Sequence, residues 1–95
     1  MENAQLNGLR VMVIDDSKTI RRTAETLLAK EGCSVMTAVD GFEALALISD
    51  HQPHIIFVDI MMPRLDGYQT CALIKNNQQF KNTPVIMLSS KDGLF

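Results

Sequence analysis

Only two cysteines occur among the 95 residues. Cys33 and Cys71 lie far apart and form no CxxC pair, which leaves no support for a disulfide framework or a zinc site. Reduced thiols and a cytoplasmic setting are the expectation. Neither sign of charge dominates: nine basic and eleven acidic residues leave a net charge of −2. That offers no basic surface to nucleic acid and no polybasic tail to an anionic membrane. No uncharged stretch approaches the roughly 20 residues of a membrane span. Met1 to Gly8 has neither the positive n-region nor the apolar h-region of a signal peptide. Internal repeats, low-complexity runs and Pro/Gly-rich linkers are all missing. The length admits one domain, and a 46% hydrophobic content is enough for a core.

What is there alternates between short apolar runs and helical patterns. Leu9–Ile14 is nearly continuous and β-branched, as in a strand buried on both faces. After Asp15, Asp16 and Ser17, the residues Ile20, Ala24, Leu27 and Leu28 recur at helical spacing. Arg21, Arg22, Glu25 and Lys30 fall on the opposite, solvated face, and Gly32 supplies the stop. Ser34–Val39 is a second strand. Asp40 then opens a helix, with Glu43 completing a capping-box pattern and Ala44, Leu45 and Ile48 forming the buried face up to Pro53. His54–Val58 is a third strand, the most apolar and so placed centrally, and it runs into Asp59. Met61–Leu65 reads as a loop. Asp66 and Gln69 form another capping pair ahead of a helix through Cys71, Ile74 and Lys75. A polar connection, Asn76–Thr83, leads to a fourth strand at Val85–Leu88, closed by Ser89 and Ser90. This β-α-β-α-β-α-β pattern predicts a parallel sheet covered by helices on both faces.

In such sheets, ligands bind beyond the carboxyl ends of the strands. The residues found there are Asp15 and Asp16 after the first strand, Asp59 after the third and Ser89 after the fourth. Three carboxylates in one crevice repel, and a cation relieves them. Hard oxygen donors favour Mg²⁺ over zinc or copper. A carboxylate beside Mg²⁺ is also a nucleophile toward a phosphoryl group. Other phosphate and acyl chemistries lack their motifs: there is no G-x-x-x-x-G-K-[ST], no G-x-G-x-x-G after the first strand and no G-x-S-x-G. A phosphoaspartate phosphatase would carry a second Asp two residues beyond Asp59, where this chain has Met61. Simpler readings stand beside these. Asp15 and Asp16 could only cap the first helix, Ser89 could be a turn serine, and Met62 reads as core. The two cysteines read as buried fillers. His51 and His54 lie at the far end of the sheet and receive no role.

Four motifs together resemble the response-regulator receiver family: Val13-Ile14-Asp15-Asp16-Ser17, Val58-Asp59-Ile60-Met61-Met62-Pro63, Leu65-Asp66-Gly67 and Pro84-Val85-Ile86-Met87-Leu88-Ser89. The resemblance covers Leu9 to Phe95, and from Phe57 onward it is similar to the receivers of twitching motility. It implies a flavodoxin-like (CheY-like) open parallel sheet with strand order 2-1-3-4. It also implies that Asp59 accepts a phosphoryl group and that Asp15, Asp16, Asp59 and the backbone carbonyl of Met61 hold Mg²⁺. Ser89 would then sense the phosphoryl group. The implied partners are a CheA-like histidine kinase as donor and a downstream motility protein. The implied activity is that of a signalling domain assisting its own phosphorylation and dephosphorylation, not that of an enzyme. The family also carries a fifth strand, with a Lys, and a fifth helix. Neither occurs by Phe95, and Lys91 is too early to be that Lys. The expectation is therefore a flexible segment 1–8 and a truncated receiver 9–95 whose fourth strand is an exposed edge that invites homodimers. The alternative function on this footing is a non-phosphorylated, self-associating fragment.

Overall fold

β-branched and other apolar residues concentrate in four short runs, and each becomes a strand of one parallel sheet. The computed structural model describes residues 7–62 and 65–88. In chain order the elements are β1 (Arg10–Ile14), α1 (Lys18–Lys30), β2 (Ser34–Ala38), α2 (Gly41–His51), β3 (Ile55–Asp59), α3 (Gly67–Lys75) and β4 (Val85–Leu88). The spatial order is β2-β1-β3-β4, as the family resemblance implies, and every pair is parallel, as the β-α alternation predicts. From β1 the chain steps to β2 on one side. It then returns across β1 to β3 and on to β4. Right-handed crossovers consequently put α1 on one face and α2 with α3 on the other.

The two faces are filled differently. On the α2/α3 face, Met12, Ile14, Ile56 and Val58 from the central strands meet Ala44, Ile48, Met62, Ile74 and Phe80 in a closed core. Phe80 lies within the connection read as polar. It is 3% exposed and pins that connection beneath the sheet. Lys75 helps from α3, where its Nζ donates to the carbonyls of Lys81 and Thr83. On the α1 face the expected burial is incomplete, and no α1 residue is fully buried. Leu27 is 57% exposed. Ile20, Ala24 and Leu28 line an open apolar cleft of about 360 Å³ with Val13, Phe57 and Leu88. The cysteines are half-buried, not buried.

Helix ends follow local chemistry. Ser17 caps α1, its Oγ accepting from the Ile20 N–H at 3.3 Å. At the other end the Gly32 N–H bonds to the Ala29 carbonyl and the Cys33 N–H to the Leu28 carbonyl, the paired bonds of a Schellman cap. That cap needs the left-handed φ of +91° that Gly32 supplies. The Gly8 N–H also bonds to the Gly32 carbonyl, tying the entry of β1 to the start of β2. Residues 1–6 of the predicted N-terminal segment lie outside the described residues. Asp40 caps α2 as expected, but the Glu43 carboxylate reaches the Val39 N–H, one residue before the usual capping-box target. At α3 the reciprocal box of Asp66 and Gln69 is complete.

The histidines brace the amino-terminal end of the sheet. The Arg10 N–H donates to His54 Nδ1, and the His54 N–H to the Arg10 carbonyl. His51 Nε2 donates to the Ser34 carbonyl, while its Nδ1 is buried without a hydrogen-bond partner among the described residues. Burial holds the His51 imidazole below its ordinary range, and the Arg10 and His54 charges act in the same direction; the bond to Ser34 opposes them.

Two predictions follow from this packing. A Cβ on Gly67 would stand 2.7 Å from both the Asp59 carbonyl oxygen and the Ile60 Cα, which are backbone atoms with nowhere to go. Gly67→Ala is expected to destabilise the chain by about 1–3 kcal/mol in urea unfolding. An unchanged midpoint would show that α3 slides freely on β3. The second concerns pH. Because folding depresses the His51 pKa, the unfolded chain takes up its proton first. The stability this group contributes is full above the ordinary histidine value and is lost as pH falls through the depressed one. The fall in stability between about pH 7.5 and about pH 5.5 should shrink in His51→Gln. Superimposable wild-type and variant profiles would remove His51 from the account.

Candidate metal centre

Asp15 and Asp59 reach the same end of the sheet because β1 and β3 are adjacent and parallel. Both carboxylates are buried, Asp15 at 3% exposure and Asp59 at 1%. Asp59 is the last residue of β3 itself, in register with Leu88, where the sequence suggested a position just after the strand. Asp16 joins them, and one carboxylate oxygen from each of the three residues lies within 4.8 Å of the others. The acidic triad predicted from the sequence is thus assembled. Ser89, the predicted hydroxyl partner, lies outside the described residues. Its neighbour Leu88 stands beside Asp59, its carbonyl accepting the Ile60 N–H at 2.9 Å.

Each carboxylate has a distinct hold. Asp15 Oδ1 accepts from the Ser17 N–H at 2.8 Å, and the Asp15 N–H donates to the Ala38 carbonyl at 3.1 Å. Ser17, not either aspartate, therefore supplies the α1 cap, which answers the capping alternative. Asp59 Oδ1 accepts from the Met61 N–H at 3.0 Å, whereas Asp59 Oδ2 is buried with no hydrogen-bond partner among the described residues. The Met61 side chain points outward at 53% exposure, while Met62 is in the core. Arg21, placed by periodicity on the solvated face of α1, is half-buried instead, and its Nη1 donates to the Asp15 carbonyl at 2.6 Å. Periodicity registers which face a Cα occupies; it cannot register a long side chain folding back along the helix toward its amino end.

These groups fit a divalent cation. Two carboxylate charges about 5 Å apart repel by about 3 kcal/mol at an effective dielectric of about 20. A buried carboxylate oxygen without a donor adds a desolvation cost. A hard cation bound by oxygens offsets both, and an all-carboxylate donor set with room for water is the kind that suits Mg²⁺. Asp66, although acidic and near in sequence, is committed to the α3 cap. No described helix is long and apolar enough to cross a membrane.

Comparison with known proteins agrees with this geometry. The family model described as the response regulator receiver domain matches residues 11–95. Protein PilG of Pseudomonas aeruginosa is 81% identical over 91 residues, which is 96% of this chain and 67% of that protein. The chain spans only about a third of the longer transcriptional regulators that it also matches. Among solved structures, the chemotaxis protein CheY4 of Vibrio cholerae superposes with a TM-score of 0.82 at 31% identity, over 90% of this chain and 75% of that one. The receiver domain of the Arabidopsis thaliana histidine kinase CKI1, solved with Mg²⁺ and BeF3−, gives 0.82 at 30% identity over 94% and 70%. With its strand order, its acidic triad and these likenesses, the chain belongs to the response regulator receiver domain family.

Proposed function

We propose that this chain is the phosphoacceptor module of a chemotaxis-like two-component system, taking a phosphoryl group on Asp59 from a histidine kinase. The observation that carries the reading is Asp59 Oδ2, a buried carboxylate oxygen with no partner among the described residues, set beside two further carboxylates. An oxygen so placed is primed either to ligate a cation or to attack phosphorus. The Met61 N–H fixes the other oxygen and hence the rotation of the carboxylate. Asp15, Asp16 and Asp59, with the Met61 carbonyl, would hold Mg²⁺, which would offset the charge that gathers on the transferring phosphoryl oxygens. In the transfer, a bond forms between the Asp59 carboxylate and phosphorus as the donor's bond to phosphorus breaks. Ser89 follows the residue in register with Asp59 and is assigned to hydrogen-bond the new phosphoryl group. A surface beyond β4 then changes and a partner protein reads it.

The resemblance to twitching-motility receivers, joined to the high identity with PilG, supports a role in controlling type IV pilus motility. The donor would be a CheA-like kinase and the reader a motility protein, both in the cytoplasm. The chain is a switch more than an enzyme, contributing its carboxylates to its own phosphorylation and dephosphorylation.

The test is incubation of the full chain with acetyl phosphate and Mg²⁺, followed by intact mass. One added phosphoryl group is expected, absent in Asp59→Asn and absent after chelation of the metal. An adduct that persists in Asp59→Asn would move the acceptor elsewhere. A folded chain that takes up no phosphoryl group would overturn the reading.

A further inference from the structure

We infer that Arg21 is a positioning residue for the metal site, holding the Asp15–Asp16 strand end in the arrangement a divalent cation requires; this rests on the phosphoacceptor reading above. Asp15 is gripped at three atoms. Its N–H donates to the Ala38 carbonyl of β2, its Oδ1 accepts from the Ser17 N–H, and its carbonyl accepts from Arg21 Nη1 at 2.6 Å. The first two grips use the backbone N–H of Asp15 or Ser17, which almost any sequence supplies. The third comes from a side chain six residues further on and is charge-assisted, the stronger class of hydrogen bond. The Arg21 backbone sits in the helix ladder, its N–H bonding to the Ser17 carbonyl at 3.0 Å, so it is the side chain alone that reaches back to Asp15. The guanidinium thus spans from the second turn of α1 to the peptide that joins the two adjacent aspartates.

The placement is informative because the helix does not favour it. The amino end of a helix prefers negative charge, yet the first turn of α1 has no acidic residue and opens with Lys18. What Arg21 meets there is the acidic end of β1. Charge and geometry make opposite demands on the metal. As a bare charge, Arg21 would repel an incoming cation, and its removal would tighten binding. As a brace on the ligand-bearing peptide, its removal would weaken binding, as losing groups that orient metal ligands commonly does by about 10–100-fold. The direct bond to the Asp15 carbonyl favours the brace.

The experiment is an Mg²⁺ titration of the full chain, read from the amide chemical shifts of Met61 and Gly67. Wild type is compared with Arg21→Met, Arg21→Lys and Arg22→Met. Arg22 is exposed on the same helix, so its substitution removes an equal charge and serves as the control for charge alone. Arg21→Met is expected to bind Mg²⁺ about 10-fold more weakly than Arg22→Met, with Arg21→Lys falling between Arg21→Met and wild type. If Arg21→Met does not fold, Arg21→Gln takes its place at this half-buried position. Binding within about twofold of Arg22→Met, or tighter, overturns the role of Arg21. If wild type binds Mg²⁺ and gains a phosphoryl group on Asp59 while the Arg21 variants bind like Arg22→Met, only this inference fails. If wild type itself binds no Mg²⁺, the phosphoacceptor reading fails and takes the Arg21 role with it.

Discussion

Like-charge repulsion at the carboxyl ends of β1 and β3 is the force the rest of the structure must hold in check. Asp59 at the end of β3 and Asp15 and Asp16 just beyond β1 are held near one another, because the two strands are adjacent and joined by a parallel hydrogen-bond ladder. Like charges gathered so closely work against folding, and domains are stable by only roughly 5–15 kcal/mol. The compensation is distributed. The Ala38 carbonyl, the Ser17 N–H and Arg21 hold Asp15, and the Met61 N–H orients Asp59. The closed core beneath, around Met12, Ile14, Ile56 and Val58, keeps the strand ends from yielding.

The two faces of the sheet contribute unequally. α2 and α3 are held by buried side chains along their length, with Gly41 and Gly67 close enough to their neighbours that no side chain intervenes. α1 has no fully buried residue; it lies on β1 and β2 through half-buried side chains such as Ile20, Ala24 and Leu28, with Ser17 and the Arg21 bond at one end and the Schellman pair at the other. The start of this helix is bonded to Asp15 at two points, through the Ser17 N–H and the Arg21 side chain. The open cleft beside it leaves Phe57 and Leu88 half-buried, with Val13 at its floor.

Much of the architecture was legible in the residues because its signals are local. Asp66 with Gln69, Gly32 after the last turn of α1, and the apolar runs of β1 and β3 each announce their conformation within a few positions. The topology rule for parallel sheets then carried Asp15, Asp16 and Asp59 to one place. Less legible features depend on reach through space. Phe80 is a lone aromatic in a polar stretch, and nothing local says that it turns inward. The Glu43 carboxylate bonds to the Val39 N–H, one residue before the cap, a choice made by side-chain geometry that the capping pattern leaves open. Arg21 falls on the polar stripe by periodicity and is recruited by a carbonyl six residues back. Leu27 has the spacing of a buried residue, but burial also requires a neighbour on that face.

The hydrogen bond between Gly8 and Gly32 has a practical side. It seats the approach to β1 beside the turn from α1 into β2, at the pole of the molecule opposite the aspartates. A reporter placed at Asn7 or Gly8 therefore sits at the far pole, away from the acidic end. The polarity of a parallel sheet thus makes the entry of β1 a vantage point from which the aspartates are left undisturbed.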